Sequence, residues 1–260
     1  MGDSMFTDVF SSIGAAARKL FTNFGAVLIA FLCYAVLWLA GYLFVAVIGQ
    51  ATQLQVVLSL VVLPLTVVVF FFLLQVIGLS YVRIGVGAGY LLKRALMDFW
   101  KLLIVSLPLI LLAVGLWWLF GYLDKKFIAD VEKPKRWIEL SLLVGRWLLL
   151  YLALPLAAIH CWMAAIREGL GGAFRGFGRS IAAAFSPRSV LIYVLVLLVC
   201  GALAWFAAFT ETHVKSEWGE LWLVGARFVF SVLMIFVGWL LTLGAMAEMT
   251  TRRALGELEF

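Results

Sequence analysis

Charge is what this chain has least of. Only 13% of its 260 residues are Asp, Glu, Lys or Arg, against 65% hydrophobic, whereas soluble domains run near a quarter charged and about half apolar. A water-soluble domain of this length cannot hide so much apolar surface, because many residues of any globule must face water. Soluble enzymes and binding modules are therefore excluded, and lipid is the solvent. Cysteine is equally scarce. Cys33, Cys161 and Cys200 are odd in number and all lie within apolar runs, so they read as small polarizable hydrophobes and not as a disulfide framework. Two histidines, His160 and His213, with no paired acidic motif, supply neither a metal-ligand set nor a nucleophile–base pair. No metal and no cofactor are expected, and the chain reads as non-enzymatic. A cleavable leader is missing as well: Met1–Asn23 carries Asp3 and Asp8, and the apolar run after Arg18 and Lys19 exceeds the roughly 7–15 residues of a signal-peptide core. The first span is expected to be retained.

What is present is a series of six apolar stretches, near 24–48, 55–79, 100–122, 138–164, 189–209 and 220–247. Each is long enough to cross about 30 Å of hydrocarbon at 1.5 Å per residue. Backbone groups in lipid must bond internally, so each is read as a helix. None shows the alternating segments of about ten residues that a membrane barrel needs. The fold class is an all-α membrane protein.

The connections set the orientation. On one side lie the short GQATQL turn (Gly49–Leu54), the mixed-charge loop Leu123–Trp137 and Thr210–Gly219. The other side holds both termini, Ser80–Phe99 with Lys101 at its edge, and Ala165–Arg188, and carries twice as many Lys and Arg. The positive-inside rule then makes both termini cytoplasmic. The net charge of +6 is orientation charge, with no nucleic acid implied. Trp117, Trp118, Trp137, Trp205, Trp218 and Trp222 fit an aromatic belt at the opposite interface.

Three stretches can be laid over one another. RKLFTNFGAVLI (Arg18–Ile29) and KRALMDFWKLLI (Lys93–Ile104) match without a gap, and RSIAAAFSPRSVLI (Arg179–Ile192) follows with a short insertion. The returning spans share W-x-E-L-x-L with an arginine seven residues after the glutamate: Trp137, Glu139 and Arg146, then Trp218, Glu220 and Arg227. Leu63-Pro64-Leu65 and Leu154-Pro155-Leu156 echo each other. The expected architecture is one polytopic domain over 1–260, made of three hairpin repeats of about 1–80, 81–165 and 166–250. Each hairpin is preceded by a cytoplasmic interfacial amphipathic helix. In Arg167–Arg188 a helix would put Leu170, Phe174, Phe177, Ile181 and Phe185 on one face, with Arg175 and Arg179 opposite.

With IREGLGGAFRGFGRS (Ile166–Ser180) leaving the fourth span, this plan resembles the YciC-like bacterial inner-membrane proteins. It is similar also to the membrane region attached to some glycerophosphodiester phosphodiesterases. The resemblance implies a multi-pass protein of the bacterial inner membrane. It brings no catalytic residues, since the phosphodiesterase chemistry belongs to a separate soluble domain.

Candidate sites follow from charge in costly places. Arg146 and Arg227 lie within spans, where an ionisable residue costs about 2.5–3.5 kcal/mol at the helix centre. Either each snorkels to the outer headgroups or pairs with a glutamate from the other repeat unit, or the two line one polar site for an anion such as a lipid phosphate. Lys93, Arg94, Arg175, Arg179 and Arg188 either only set topology or also gather anionic headgroups. Glu168 and Glu248 are expected to pair with Arg167 or Arg252. The glycines of GVGAG (Gly85–Gly89) and of Gly169–Gly178 lack the strand–helix context of a phosphate loop, and read as close packing or as an elbow. The function expected is the organisation of lipid, or of a protein partner in the membrane, by the basic cytoplasmic helices. The alternative is a small transporter or lipid-handling protein with an anion site near Arg146 and Arg227.

The orientation is open to a direct test. A green fluorescent protein fused after Phe260 is expected to fluoresce and an alkaline phosphatase at the same place to be inactive; an active phosphatase would reverse the topology.

Overall fold

The computed structural model describes residues 2–47, 52–82, 87–129, 135–211 and 216–256, and all regular structure among them is helical. Eight helices follow in order: α1 (Gly2–Thr22), α2 (Phe24–Val47), α3 (Gln53–Ser80), α4 (Ala88–Ala129), α5 (Arg136–Arg175), α6 (Phe177–Ala184), α7 (Pro187–Phe209) and α8 (Glu217–Gly256). Among the described residues, α2, α3, α4, α5, α7 and α8 are long and apolar enough to cross a membrane, and the chain is a multi-pass membrane protein. Much of the GQATQL turn, Arg83, Gly85, Lys133, His213 and Lys215 lie outside the described residues, so the expectations placed on them do too.

The three pre-span stretches differ in form. α1 is a separate helix, set off from α2 by Asn23 alone. The stretch 88–99 is continuous with its span, because no proline or glycine interrupts the chain between Gly89 and Pro108. Arg167–Arg188 is broken twice. Gly169 takes φ 72°, a left-handed conformation open mainly to glycine, and α5 turns there; at Gly176 the helix stops before α6 begins. These breaks change the phase of the expected apolar stripe. Leu170, Phe177 and Ile181 pack inward, whereas Phe174 and Phe185 are exposed.

Two prolines shape their spans alike. Proline has no N–H and crowds the carbonyl four residues back. Around Leu60, before Pro64, and around Tyr151, before Pro155, the helix widens into π turns at Leu58–Val62 and Trp147–Ala153, a common way to absorb such a conflict.

The chain divides into two compact units, Met1–Phe99 with Leu191–Phe260, and Trp100–Val190. In the first unit, helix association relies on small residues and a few polar bonds, since lipid removes the hydrophobic drive between helices. α2 turns Ala26, Ala30, Cys33 and Ala40 inward. Gln75 on α3 accepts a 2.8 Å bond from the Trp239 indole on α8, and Tyr34 donates to the Val232 carbonyl at 3.2 Å while stacking on Phe236. α1 lays Val9, Ser12 and Ala16 inward, and Lys19 pairs with Glu248 on α8 at 3.0 Å.

Tyr81 joins these pieces. Its hydroxyl lies 3.2 Å from the Leu240 carbonyl and 3.4 Å from that of Ala16, and its own carbonyl accepts a bond from the Asn23 amide. Burial pushes the phenol well above its ordinary pKa, so it remains a donor. The ring fits because residue 244 is glycine: a Cβ there would sit 2.2 Å from the Tyr81 hydroxyl oxygen and 2.7 Å from the ring.

In the second unit, Val105 and Leu109 of α4 meet Ala157, Cys161 and Ala165 of α5, and Ala173 packs with them. The Trp162 indole donates to Ser106 at 2.7 Å. Ser186 opens α7 by accepting the Ser189 N–H, and Ser189 in turn lies 3.0 Å from His160 Nε2. His160 is thus held by structural hydrogen bonds. Packing in this unit is concentrated toward one end of α5, since Leu156–Ile166 is largely buried while 135–149 is not.

Gly244→Ala is expected to destabilise the protein by about 1–3 kcal/mol through overpacking against Tyr81. Thermal unfolding in detergent measures it, and a midpoint equal to wild type would contradict the contact.

Candidate functional site

Position along the helix decides which charges are buried in lipid. In α4 the residues between Lys101 and Asp124 form an uncharged interval of 22, and in α5 those between Arg146 and Arg167 an uncharged interval of 20. At 1.5 Å per residue these span about 30–33 Å, the thickness of the hydrocarbon core. Asp124 and Arg146 therefore close the two intervals at one headgroup level of the second unit, and Lys101 and Arg167 close them at the other. α7 and α8 repeat the arithmetic: 22 uncharged residues separate Arg188 from Glu211, and 20 separate Arg227 from Glu248. Counted this way, Arg146 and Arg227, assigned to span interiors in the sequence, fall at the ends of the uncharged intervals of α5 and α8.

Each has a local partner. Arg146 donates to the Asp124 carboxylate, forming an ion pair between α5 and α4. Its guanidinium also lies 5.6 Å from the Phe120 ring centroid, where cation–π attraction adds to the pair. Arg227 donates to the carbonyl of Thr210, the residue before Glu211. The expectation that a glutamate provides the partner is met at neither arginine. Asp124 was the residue missed, and the interval count was the signal that finds it.

Around Arg146 a cleft of about 490 Å³ opens between the C-terminal end of α4 and the N-terminal end of α5, lined by Asp124, Lys125, Ile128, Ala129, Glu139, Leu143 and Arg146. Glu139 and Arg146 share this face as their seven-residue spacing requires. Lys126 is turned toward the rings of Tyr122 and Phe127, at 5.8 and 5.5 Å. Among the described residues, the side chains of Lys125 and Glu139 have no hydrogen-bond or ion-pair partner.

In the second unit the other basic candidates follow Arg167, the far end of the α5 interval. Arg175 ends α5 and Arg179 lies on α6, both exposed and without an ion-pair partner among the described residues. Arg188 is half-buried at the start of α7. In the first unit Lys93 is exposed, while Arg94 is 3.5 Å from Asp98 one turn on and partly neutralised by it. Glu248 pairs with Lys19; the Arg252 side chain, the expected partner, lies outside the described residues. Glu168 folds back over Gly172, where a Cβ would fall 2.5 Å from its own. No three His, Cys, Asp or Glu side chains among the described residues converge as a metal site would require.

No protein-family model, curated protein or solved structure matches this chain.

The Arg146–Asp124 pair is about one-third exposed on each side, so it belongs with partly hydrated pairs. A double-mutant cycle of Asp124→Asn and Arg146→Gln is expected to give a coupling of about 0.5–1 kcal/mol; additive single effects would show that the pair does not form.

Proposed function

We propose that this is a non-enzymatic multi-pass protein of the bacterial inner membrane, with both termini cytoplasmic, that gathers anionic lipid at its basic face. The observation that carries the reading is the segment Gly169–Ala184. Its Leu170, Phe177 and Ile181 pack onto the core of the second unit, so the segment is anchored. Its Arg175 and Arg179 then stand exposed with exposed Phe174 beside them. An apolar body with arginines on the free side is the arrangement that holds a headgroup layer. Each basic residue near an anionic leaflet contributes about 1 kcal/mol, so the two together enrich anionic lipid roughly thirtyfold before screening. Lys93 offers the same chemistry in the first unit.

Further support comes from the pattern of three hairpins, each entered from the basic side. The paired 22- and 20-residue intervals of the second and third hairpins support the repeat. A single anion site shared by Arg146 and Arg227 is less well supported, because the Asp124 carboxylate already occupies one guanidinium and the Thr210 carbonyl the other.

The full chain, reconstituted in nanodiscs containing phosphatidylglycerol and phosphatidylcholine, is expected to retain phosphatidylglycerol preferentially on mild detergent extraction. R175Q/R179Q is expected to reduce that retention about tenfold or more, scaled from the same per-residue contribution. Equal retention of the two lipids by wild type, or unchanged retention in the double variant, would overturn the proposal.

A further inference from the structure

The cleft beside Arg146 has a charge arrangement that neither topology nor anion gathering explains. Among the described residues, the charged side chains that line it are Asp124, Lys125, Glu139 and Arg146, two of each sign. Arg146 and Asp124 satisfy one another. What remains available among the described residues is one cation, Lys125, and one anion, Glu139, on opposite helices of the same cleft. A simple anion finds one free lysine but also an unpaired carboxylate, whose repulsion opposes binding. A simple cation meets the converse. A ligand carrying both a phosphate and an ammonium answers both charges and leaves neither side chain unpaired.

Position restricts the ligand further. Asp124 and Arg146 are the first charges beyond the uncharged intervals of α4 and α5, so the cleft stands at headgroup depth. Leu143 and Ile128 form apolar walls, and below Arg146 the lipid-facing side continues through exposed Trp147 and Leu148. A headgroup in the cleft therefore has an apolar surface beneath it for its acyl chains. Among the described residues the lining holds no aromatic ring, whereas quaternary ammonium groups are held by aromatic cages. A carboxylate such as Glu139 instead selects an ammonium that donates N–H bonds. The volume, about 490 Å³, falls in the range of small-ligand sites.

We propose that this cleft binds the headgroup of a phospholipid bearing a primary ammonium, of the phosphoethanolamine class, with its ammonium on Glu139 and its phosphate on Lys125. The Arg146–Asp124 pair braces the two helices on either side. The site is separate from the basic face, in residues and in lipid chemistry.

The full chain in nanodiscs of equimolar phosphatidylethanolamine, phosphatidylcholine and phosphatidylglycerol, extracted mildly and read by native mass spectrometry, tests this. Wild type is expected to retain phosphatidylethanolamine roughly tenfold over phosphatidylcholine, the scale of one charge-assisted bond. Glu139→Gln is expected to abolish that preference and Glu139→Asp to keep most of it; Lys125→Gln should lower retention of both zwitterionic lipids. Glu139 and Lys125 are exposed, so these variants keep the fold, which an unchanged thermal midpoint verifies. Soluble glycerophosphoethanolamine separates the two sources of the headgroup: displacement of the lipid by it at micromolar concentration would assign the site to a soluble ligand and overturn the lipid proposal. Equal retention of the two zwitterionic lipids by wild type, or a surviving preference in Glu139→Gln, would overturn it as well. Phosphatidylglycerol in the same spectra reports the basic face, so the two proposals fail separately.

Discussion

The thickness of the hydrocarbon layer is the constraint on which the rest of this molecule depends. A charge inside it costs several kcal/mol, and the chain answers by spacing its charges 20 or 22 uncharged residues apart along α4, α5, α7 and α8. From 20 to 82 there is no Asp, Glu, Lys or Arg at all, so α2 and α3 are free to shift in depth and must be positioned by their contacts with other helices. In the second unit the same spacing creates two charged levels on one pair of helices. One bears Lys101 and Arg167 with exposed Arg175 beyond; the other bears the Asp124–Arg146 pair and its cleft.

With charge confined to the boundaries and no hydrophobic drive between helices in lipid, association falls to shape and to isolated polar bonds. The first unit shows how few are needed. Gly244 admits the Tyr81 ring, the hydroxyl of that ring reaches α8 and α1, and its backbone carbonyl holds Asn23 at the α1–α2 joint. Lys19 and Glu248 tie the same two helices one step further out. Substitution of a single glycine thus acts on three elements at once, whereas the same change at Gly225, with open space around it, touches nothing.

Legibility in the sequence followed the physics of each feature. The six spans were plain, since hydropathy over about 20 residues is a sum over many side chains and tolerates local exceptions. Glu139 and Arg146 were paired on one face by periodicity alone, and that holds. The partner of Arg146 was not found, because Asp124 belongs to another helix and looks in sequence like the start of a mixed-charge loop. The amphipathic stripe of Arg167–Arg188 was drawn with a constant 100° step, and a left-handed Gly169 cancels that assumption at one residue. The composition does announce the glycines; it does not say which one turns. Tyr81 gave no sign, since its role arises from contacts with residues 65 and 159 positions away.

The two charged levels of the second unit differ in kind, and the difference follows from packing. At the Arg175 level α5 has a closely packed stretch, Leu156–Ile166, before it, and the chain folds back through α6 onto that core. Basic residues there are displayed outward from a firm support, which suits a diffuse layer of headgroups read by charge alone. At the Arg146 level the two helices have few buried side chains, and a π turn directly follows the arginine. Helices that are not closed against one another leave volume between them, and at this end charged side chains of both helices line that volume while remaining open to solvent. The two ends thus differ in what they offer: the closely packed end displays charges of one sign, whereas the loosely packed end brings charges of both signs from two helices to one cleft.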